Sequence, residues 1–317
     1  MNLSPLHILP LALLLVLSPA GAKGPAIKDY PVDLITKNAY VIHGPLGTPT
    51  PENQGFMNNP GFIITNKGII VVDPGSSIQI GEMLLRAIRK TSDKPVIAVF
   101  NTHIHGDHWL GNQAIQAAYP NVPIYGHPNM ITLIEDGEGD SWVALMERLT
   151  DKQTVGTKVV APTIAINDGD EFKFGNTSVR IHHYGIAHTT SDVMIEIPEV
   201  SITFLGDNVL SQRIPRIDEG TFQGNIEACN RIQETGSKFY VPGHGPTGDV
   251  NVPINFCRYL ETLYATVKKY YNEGLSDFEM KDKVAAQLTE YSDWSGFDVQ
   301  LGKHISLAYL QIEEADF

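Results

Sequence analysis

The chain carries three histidines and one aspartate within six consecutive positions. The stretch Asn101 to Asn112 reads Asn-Thr-His-Ile-His-Gly-Asp-His-Trp-Leu-Gly-Asn, and its candidate ligands are His103, His105, Asp107 and His108. Imidazole and carboxylate groups are ligands that zinc and neighbouring metals prefer. The apolar run Val96 to Phe100 precedes them and is typical of a buried strand. The pattern therefore predicts a metal site on a turn at the end of a strand.

Three more candidate ligands lie far along the chain, and each follows an apolar, strand-like run or a glycine-containing loop. They are His188, Asp207 and His244. A single His or Asp in such a place is more often a cap or a turn former. Since α/β proteins usually place their sites at strand ends, we expect these three to converge with the first cluster.

The order His-x-His-x-Asp-His, then His, then Asp, then His, resembles the metallo-β-lactamase superfamily over roughly Ala39 to Pro246. The resemblance implies an α/β fold, a four-layer αβ/βα sandwich of two mixed β-sheets with outer helices. Strand patterns with interspersed helices in both halves are compatible with this fold, and the second half is predicted to begin with a strand at Ile164 to Ile166. Asp73-Pro-Gly resembles the family's first motif, in which the Asp braces the metal loop and is not a ligand.

Carried onto this chain, the resemblance implies two metal sites. The first would be held by His103, His105 and His188, the second by Asp107, His108 and His244, with Asp207 bridging both. The implied cofactors are two Zn²⁺, with Fe or Mn as alternatives. Asp107 is also the predicted catalytic residue, which would orient a metal-bridging hydroxide and pass a proton to the leaving group.

The implied function is a zinc-dependent hydrolase that attacks an ester, thioester, lactone or amide (lactam) carbonyl. The ligand set is most similar to glyoxalase II-type thioesterases. Three alternatives stay open: a metallo-β-lactamase proper acting on β-lactams, an iron-dependent persulfide dioxygenase, and a non-catalytic periplasmic metal-binding protein. Substrate choice is expected to depend on the cleft loops Leu46 to Asn59 and Glu135 to Trp142.

The charge of the chain bears on its partners. The formal net charge is −13, and the 317 residues contain no block of Lys or Arg. Because phosphate binding needs clustered cations, nucleic acid is disfavoured as a partner. A small-molecule substrate is predicted instead.

Three segments are predicted along the chain. Residues 1–22 read as a signal peptide, since the apolar stretch Ile8 to Leu17 is too short to span a bilayer and leads into small residues suited to cleavage. A periplasmic or secreted protein without a membrane anchor would follow. Residues 23–252 are the predicted catalytic domain, and residues 253–317 a helical extension packed on it. Cys229 and Cys257 could form a disulfide or remain buried thiols.

Overall fold

The computed structural model describes residues 23–316. The predicted signal peptide, residues 1–22, lies outside the described residues. Among the helices of residues 23–316, none combines the length and the apolar character needed to cross a membrane.

The first sheet has seven strands in the order of the chain. Its strands are β1 Asp33–Thr36, β2 Ala39–Val41, β3 Gly61–Ile64, β4 Ile69–Val72, β5 Val96–Phe100, β6 Ile124–Gly126 and β7 Ile164–Ala165. The pairs from β1 to β4 are antiparallel, and those from β4 to β7 are parallel. The sheet is therefore mixed, with β4 and β5 at its centre.

The second sheet has five strands in the order β12-β11-β10-β9-β8. Its strands are β8 Glu171–Lys173, β9 Ser178–His182, β10 Met194–Ile197, β11 Ile202–Phe204 and β12 Phe239–Val241. Pairs from β8 to β11 are antiparallel, whereas β11 and β12 are parallel. Parallel β11 and β12 end at the same edge, which places the residues after both strands close together.

Nine α-helices connect and cover the sheets in the described part of the chain. They are α1 Ile78–Thr91, α2 Gly106–Trp109, α3 Asn112–Ala118, α4 Pro128–Leu133, α5 Gly139–Leu149, α6 Phe222–Arg231, α7 Asn251–Asn272, α8 Lys281–Ala285 and α9 Phe297–Ala315. A π-helical turn, Ile134–Glu138, joins α4 to α5, and short 3₁₀ turns lie at Pro198–Val200, Gly206–Asn208, Ile232–Thr235, Asp277–Glu279 and Thr289–Tyr291.

The alternation of side chains along the strands builds the layers. In β4, Ile70 and Val72 face the second sheet, where they pack with Phe204 and others. Ile69 and Val71 point to the other face and pack against α1 and α3. The second sheet is covered in turn by α6, α7 and α9. The predicted four-layer sandwich with outer helices is thus confirmed.

The C-terminal helices share one apolar core with α6 and the second sheet. Buried members of this core include Phe222 on α6, Leu260 on α7 and Ile305 on α9. Cys229 and Cys257 form a disulfide between α6 and α7, with their Cα atoms 5.9 Å apart. Helices α7 and α9 therefore pack on the sandwich, while the division of the chain into a catalytic domain and an extension at residue 253 stays a prediction.

A buried histidine ties this extension to the loop before α6. The Tyr259 hydroxyl donates to His304 Nδ1 at 2.9 Å, and His304 Nε2–H donates to the Pro215 carbonyl at 3.0 Å. Burial lowers the pKa of His304 to about 4, although the bond to Pro215 acts in the opposite direction. The neutral ring is therefore the form that the fold holds.

This pKa shift predicts a loss of stability in acid. Because the folded-state pKa of about 4 lies below the ordinary value of 6.5, His304 stabilises the fold fully above pH 6.5 and progressively less as the pH falls. The expected loss is roughly 2 kcal/mol between about pH 7 and about pH 5. Urea denaturation of the wild type and of His304→Gln at both pH values measures it. On going from the higher to the lower pH, the free energy of unfolding of the variant should fall by that much less than that of the wild type. Equal losses in the two proteins would show that His304 does not contribute.

Candidate metal centre

The seven predicted ligands lie together where strands of both sheets end. The turn with His103, His105, Asp107 and His108 follows β5 and continues into α2, whereas His188 lies in the loop between β9 and β10. Asp207 follows β11, and His244 follows β12. These residues form two groups, in each of which the candidate donor atoms lie within 4.8 Å of one another.

The first group contains His103, His105, His188 and Asp207. His105 Nδ1 lies 3.0 Å from His188 Nε2, and His188 Nε2 lies 3.6 Å from Asp207 Oδ2. Donors around a tetrahedral zinc, each about 2.05 Å from the ion, are about 3.4 Å apart. The observed separations therefore suit a metal ion.

The second group contains Asp107, His108 and His244, all buried. Asp107 Oδ2 lies 3.2 Å from His244 Nε2 and 3.6 Å from His108 Nε2. Asp207 also approaches this group, because its Oδ1 lies 3.2 Å from His108 Nε2 and its Oδ2 lies 3.3 Å from His244 Nε2. Asp207 is thus adjacent to both groups, and its role as a bridging ligand stays a prediction.

Polar atoms without hydrogen-bond partners are concentrated in this centre. Within residues 23–316, His103 Nε2, His108 Nε2 and Asp207 Oδ1 are buried and lack one. Buried polar groups normally find partners, so a set that points into one small volume is suited to binding a cation. The donor set of imidazoles and carboxylates therefore fits divalent metal ions.

Hydrogen bonds at the far side of three rings set which nitrogen faces the centre. His103 Nδ1–H donates to Thr102 Oγ1 at 3.0 Å, and His108 Nδ1–H donates to Asp73 Oδ2 at 2.8 Å. His244 Nδ1–H donates to the Met57 carbonyl at 2.7 Å. Each ring is then in the tautomer whose Nε2 carries a lone pair.

Asp73 supports the metal turn without facing the centre. Its Oδ1 accepts from the Thr102 amide at 2.9 Å, and its Oδ2 accepts from Thr102 Oγ1 at 2.7 Å as well as from His108. The Asp73 backbone has φ 48°, a left-handed conformation that Asp and Asn tolerate better than most residues. These hydrogen bonds agree with the bracing role that the resemblance implies for Asp73.

The charges of the centre suit cation binding. Burial, and then the positive charge of His108, holds the pKa of His103 well below its ordinary value. Burial raises the pKa of Asp207, but His244 and His108 outweigh it and keep that pKa well below its usual range. Burial and the neighbouring His105 lower the pKa of His188 to about 3. Burial lowers the pKa of His108, but the neighbouring carboxylates, Asp207 first, outweigh it and hold that pKa well above its ordinary value. Ionised carboxylates and neutral imidazoles are the states that bind metals, so a bound cation would displace the extra proton of His108.

One glycine makes the close approach of β11 and β12 possible. A Cβ at Gly243 would overlap Asp207 Oδ1 and the Gly206 backbone. A side chain at residue 243 would therefore displace Asp207 or His244 from the centre.

The two groups open into a cleft of about 570 Å³, including its mouth. Side chains that the sequence analysis did not assign also line it, among them Arg213, Arg216, Leu145 and Leu149. Arg213 follows Asp207 by six positions. This short distance from a candidate ligand is the one feature of the sequence that could have indicated a role for Arg213.

Residues 53–244 match the family Metallo-beta-lactamase superfamily. The hydroxyacylglutathione hydrolase of Gloeobacter violaceus is 25% identical over 164 residues, which cover 52% of this chain and 53% of that protein. The metallo-beta-lactamase type 2 of a Bacillus species is 26% identical over 227 residues, 69% of this chain and 77% of that protein. The chain spans about half the length of the first curated relatives it matches.

A solved structure shares the fold. The metallo-beta-lactamase from Pontibacter korlensis superimposes with a TM-score of 0.59 at 20% identity, over 73% of this chain and 98% of that one. At this identity the likeness shows the arrangement of sheets and helices.

The hydrogen bonds of Asp73 lead to a metal-binding prediction. In Asp73→Asn, an amide nitrogen at the Oδ2 position cannot accept from Thr102 Oγ1 or His108, so the His108 ring loses its orientation. Affinity for Zn²⁺ should fall roughly 10- to 100-fold, measured by competition with a chromogenic chelator. Asp93→Asn, in the exposed loop after α1, is the control. Equal affinities in the two variants would remove Asp73 from metal binding.

Proposed function

Because the chain belongs to the metallo-β-lactamase superfamily, we propose that it is a dinuclear, zinc-dependent hydrolase of an ester, thioester, lactone or amide carbonyl. The single observation that carries the proposal is the convergence of seven donor side chains, six of them buried and His105 half-buried, in two adjacent groups. The curated relatives it resembles are named as hydrolases and metallo-β-lactamases. That likeness supports the reaction class. The substrate has to be inferred from the cleft of this chain.

In the proposed enzyme, His103, His105 and His188 hold one metal, and Asp107, His108 and His244 hold the other, with Asp207 between them. When bound, divalent ions supply Lewis acidity, which activates water and polarises the substrate oxygen. Two complete groups support two ions better than one, which disfavours the single-iron dioxygenase. Imidazole and carboxylate donors at tetrahedral spacing favour zinc over harder ions.

Asp107 acts on the water in this proposal. Its carboxylate is buried at the cleft floor, and His108 and His244 outweigh burial to lower its pKa. The ionised oxygens accept a hydrogen bond from the attacking water and orient it. As the water oxygen bonds to the carbonyl carbon and the bond to the leaving group breaks, the water proton passes through Asp107 to the leaving group.

Arg213 is proposed to contact the substrate. Its Nη1 lies 2.8 Å from His244 Nδ1, the nitrogen whose hydrogen already goes to Met57 when Nε2 faces the metals. In that state the guanidinium cannot donate to the ring, and within residues 23–316 it forms no salt bridge. Its N–H groups are therefore available to an anionic group or a carbonyl oxygen of the substrate.

A β-lactam substrate is the second candidate, favoured by the Bacillus relative of that name. Export through the predicted signal peptide, which we also propose, would place the protein where β-lactams act. A turnover panel of nitrocefin, thioesters, esters and lactones separates the two candidates.

Removal of the metals should abolish hydrolysis. After dialysis against a chelator, turnover of the best substrate should be lost and return with Zn²⁺, and metal analysis should give two ions per chain. Asp107→Ala should lower kcat by roughly a hundredfold or more with the fold intact by circular dichroism. Asp168→Ala, on an exposed turn, is the matched control. Full activity in the stripped protein would refute the proposal.

Loss of the Arg213 charge should selectively weaken the binding of anionic substrates. For a substrate carrying a carboxylate, Arg213→Gln should raise KM roughly tenfold or more, since a charge-assisted hydrogen bond is lost. A neutral ester of the same size should change little. Arg89→Gln, exposed on α1, controls for net charge. An equal effect on both substrates would argue against a contact with the anion.

A further inference from the structure

One face of α5 is apolar and points into the cleft. Trp142, Leu145, Met146 and Leu149 recur at the spacing of one helix face, and all four line the same cleft as the metal groups. Leu149, at the far end of this face, is 40% exposed. This face is called the α5 wall below.

The α5 wall begins at the metal centre. The Trp142 ring centroid lies 5.0 Å from that of His105. A Cβ added to Gly106, next to Asp107, would lie 2.8 Å from Trp142 Cβ, so α5 is seated tightly on the metal turn. A group bonded to the reacting carbonyl would therefore meet apolar side chains at once.

The wall is long and continuous. From Trp142 to Leu149 the helix rises by about 10 Å, and Pro49 and Leu210 add apolar surface to the same cleft. The four positions on this face carry no charge, whereas the charged residues of the helix, such as Asp140 and Arg148, are exposed on other faces. The surface suits a linear apolar group that extends away from the metals.

The acidic mouth of the cleft disfavours a polyanionic substrate. Glu219 Oε1 lies 3.4 Å from His105 Nε2, and Asp218 binds the guanidinium of Arg216 at 2.7 Å. Burial, and then the charge of Glu219, raises the pKa of Glu138, which places a third carboxyl group nearby. Arg216 is therefore paired with a carboxylate. Arg213, the other arginine in the cleft, has no carboxylate partner in the described chain.

We propose that the α5 wall binds the acyl chain of the substrate, and that the enzyme hydrolyses esters, thioesters or lactones of apolar-chain carboxylic acids. This inference rests on the proposed function. It adds that the acyl chain determines specificity and that a polar, multiply charged peptide such as glutathione does not provide the main contacts. Each methylene that reaches the wall loses contact with water and contributes to binding in the transition state.

The test is a series of p-nitrophenyl esters from acetate through butanoate and hexanoate to octanoate, with the zinc-loaded full chain. Burial of a methylene predicts that kcat/KM rises roughly two- to fourfold per added methylene. A flat series, or turnover of nitrocefin without any dependence on ester chain length, would overturn the inference. Absence of turnover for every ester and for the thioesters, lactones and nitrocefin of the panel, with two zinc ions bound, would instead overturn the proposed function.

Matched variants locate the effect. Leu149→Gln should lower octanoate hydrolysis at least several-fold more than acetate hydrolysis, because only the longer chain reaches residue 149. Leu310→Gln, on α9 and 57% exposed, is the control. If both variants retain the full chain-length dependence, the acyl chain does not lie on the α5 wall. Inhibition by octanoate, weakened in Leu149→Gln only, gives a readout that does not require turnover.

Discussion

The structure depends on a group of buried donors that protein atoms alone do not satisfy. Around His103, His108 and Asp207, ring nitrogens and carboxylate oxygens lie 3 to 4 Å apart, several without any hydrogen bond in the described chain. Such a cluster is costly unless a cation lies among the donors, because each lone pair has left water without a replacement. Ion binding and the stability of this edge of the sandwich are therefore linked.

The two sheets have to end at one place for this cluster to exist. β5 belongs to one sheet and β11 and β12 to the other, so the face-to-face packing of Val72 and Phe100 on Phe204 sets the distance between the turn of His103 and the loop of Asp207. Hydrogen bonds from Asn59 to the carbonyls of Pro242 and Gly245 then hold the loop that carries His244. The outer helices keep the sheets in contact and leave the edge open.

The sequence predicted those features that depend on local pattern. Ligand type, strand ends and glycines indicated His188, Asp207 and His244, although their assignment to individual metals stays a prediction. Tertiary packing decided the rest. Ile164 was correctly expected in a strand at the start of the second half. That strand, β7, is the edge strand of the first sheet. Cys229 pairs with Cys257 because α6 contacts α7. The position of Arg213 depends on a β-bridge between its backbone and that of Ser295.

The apolar side chains beside the metal groups have a second physical effect. Trp142, Leu145 and Leu210 place apolar surface beside the metal groups, and next to such surface a charge–charge interaction weakens less than in solvent. An acyl chain on the α5 wall would add to this apolar surface, since it covers the open side of the helix. Binding of the apolar chain would then strengthen the interactions of Asp107 and Arg213 with the reacting group. Under this argument a short acyl chain loses contacts with the wall and also leaves the charged groups more hydrated, so chain length should affect kcat as well as KM.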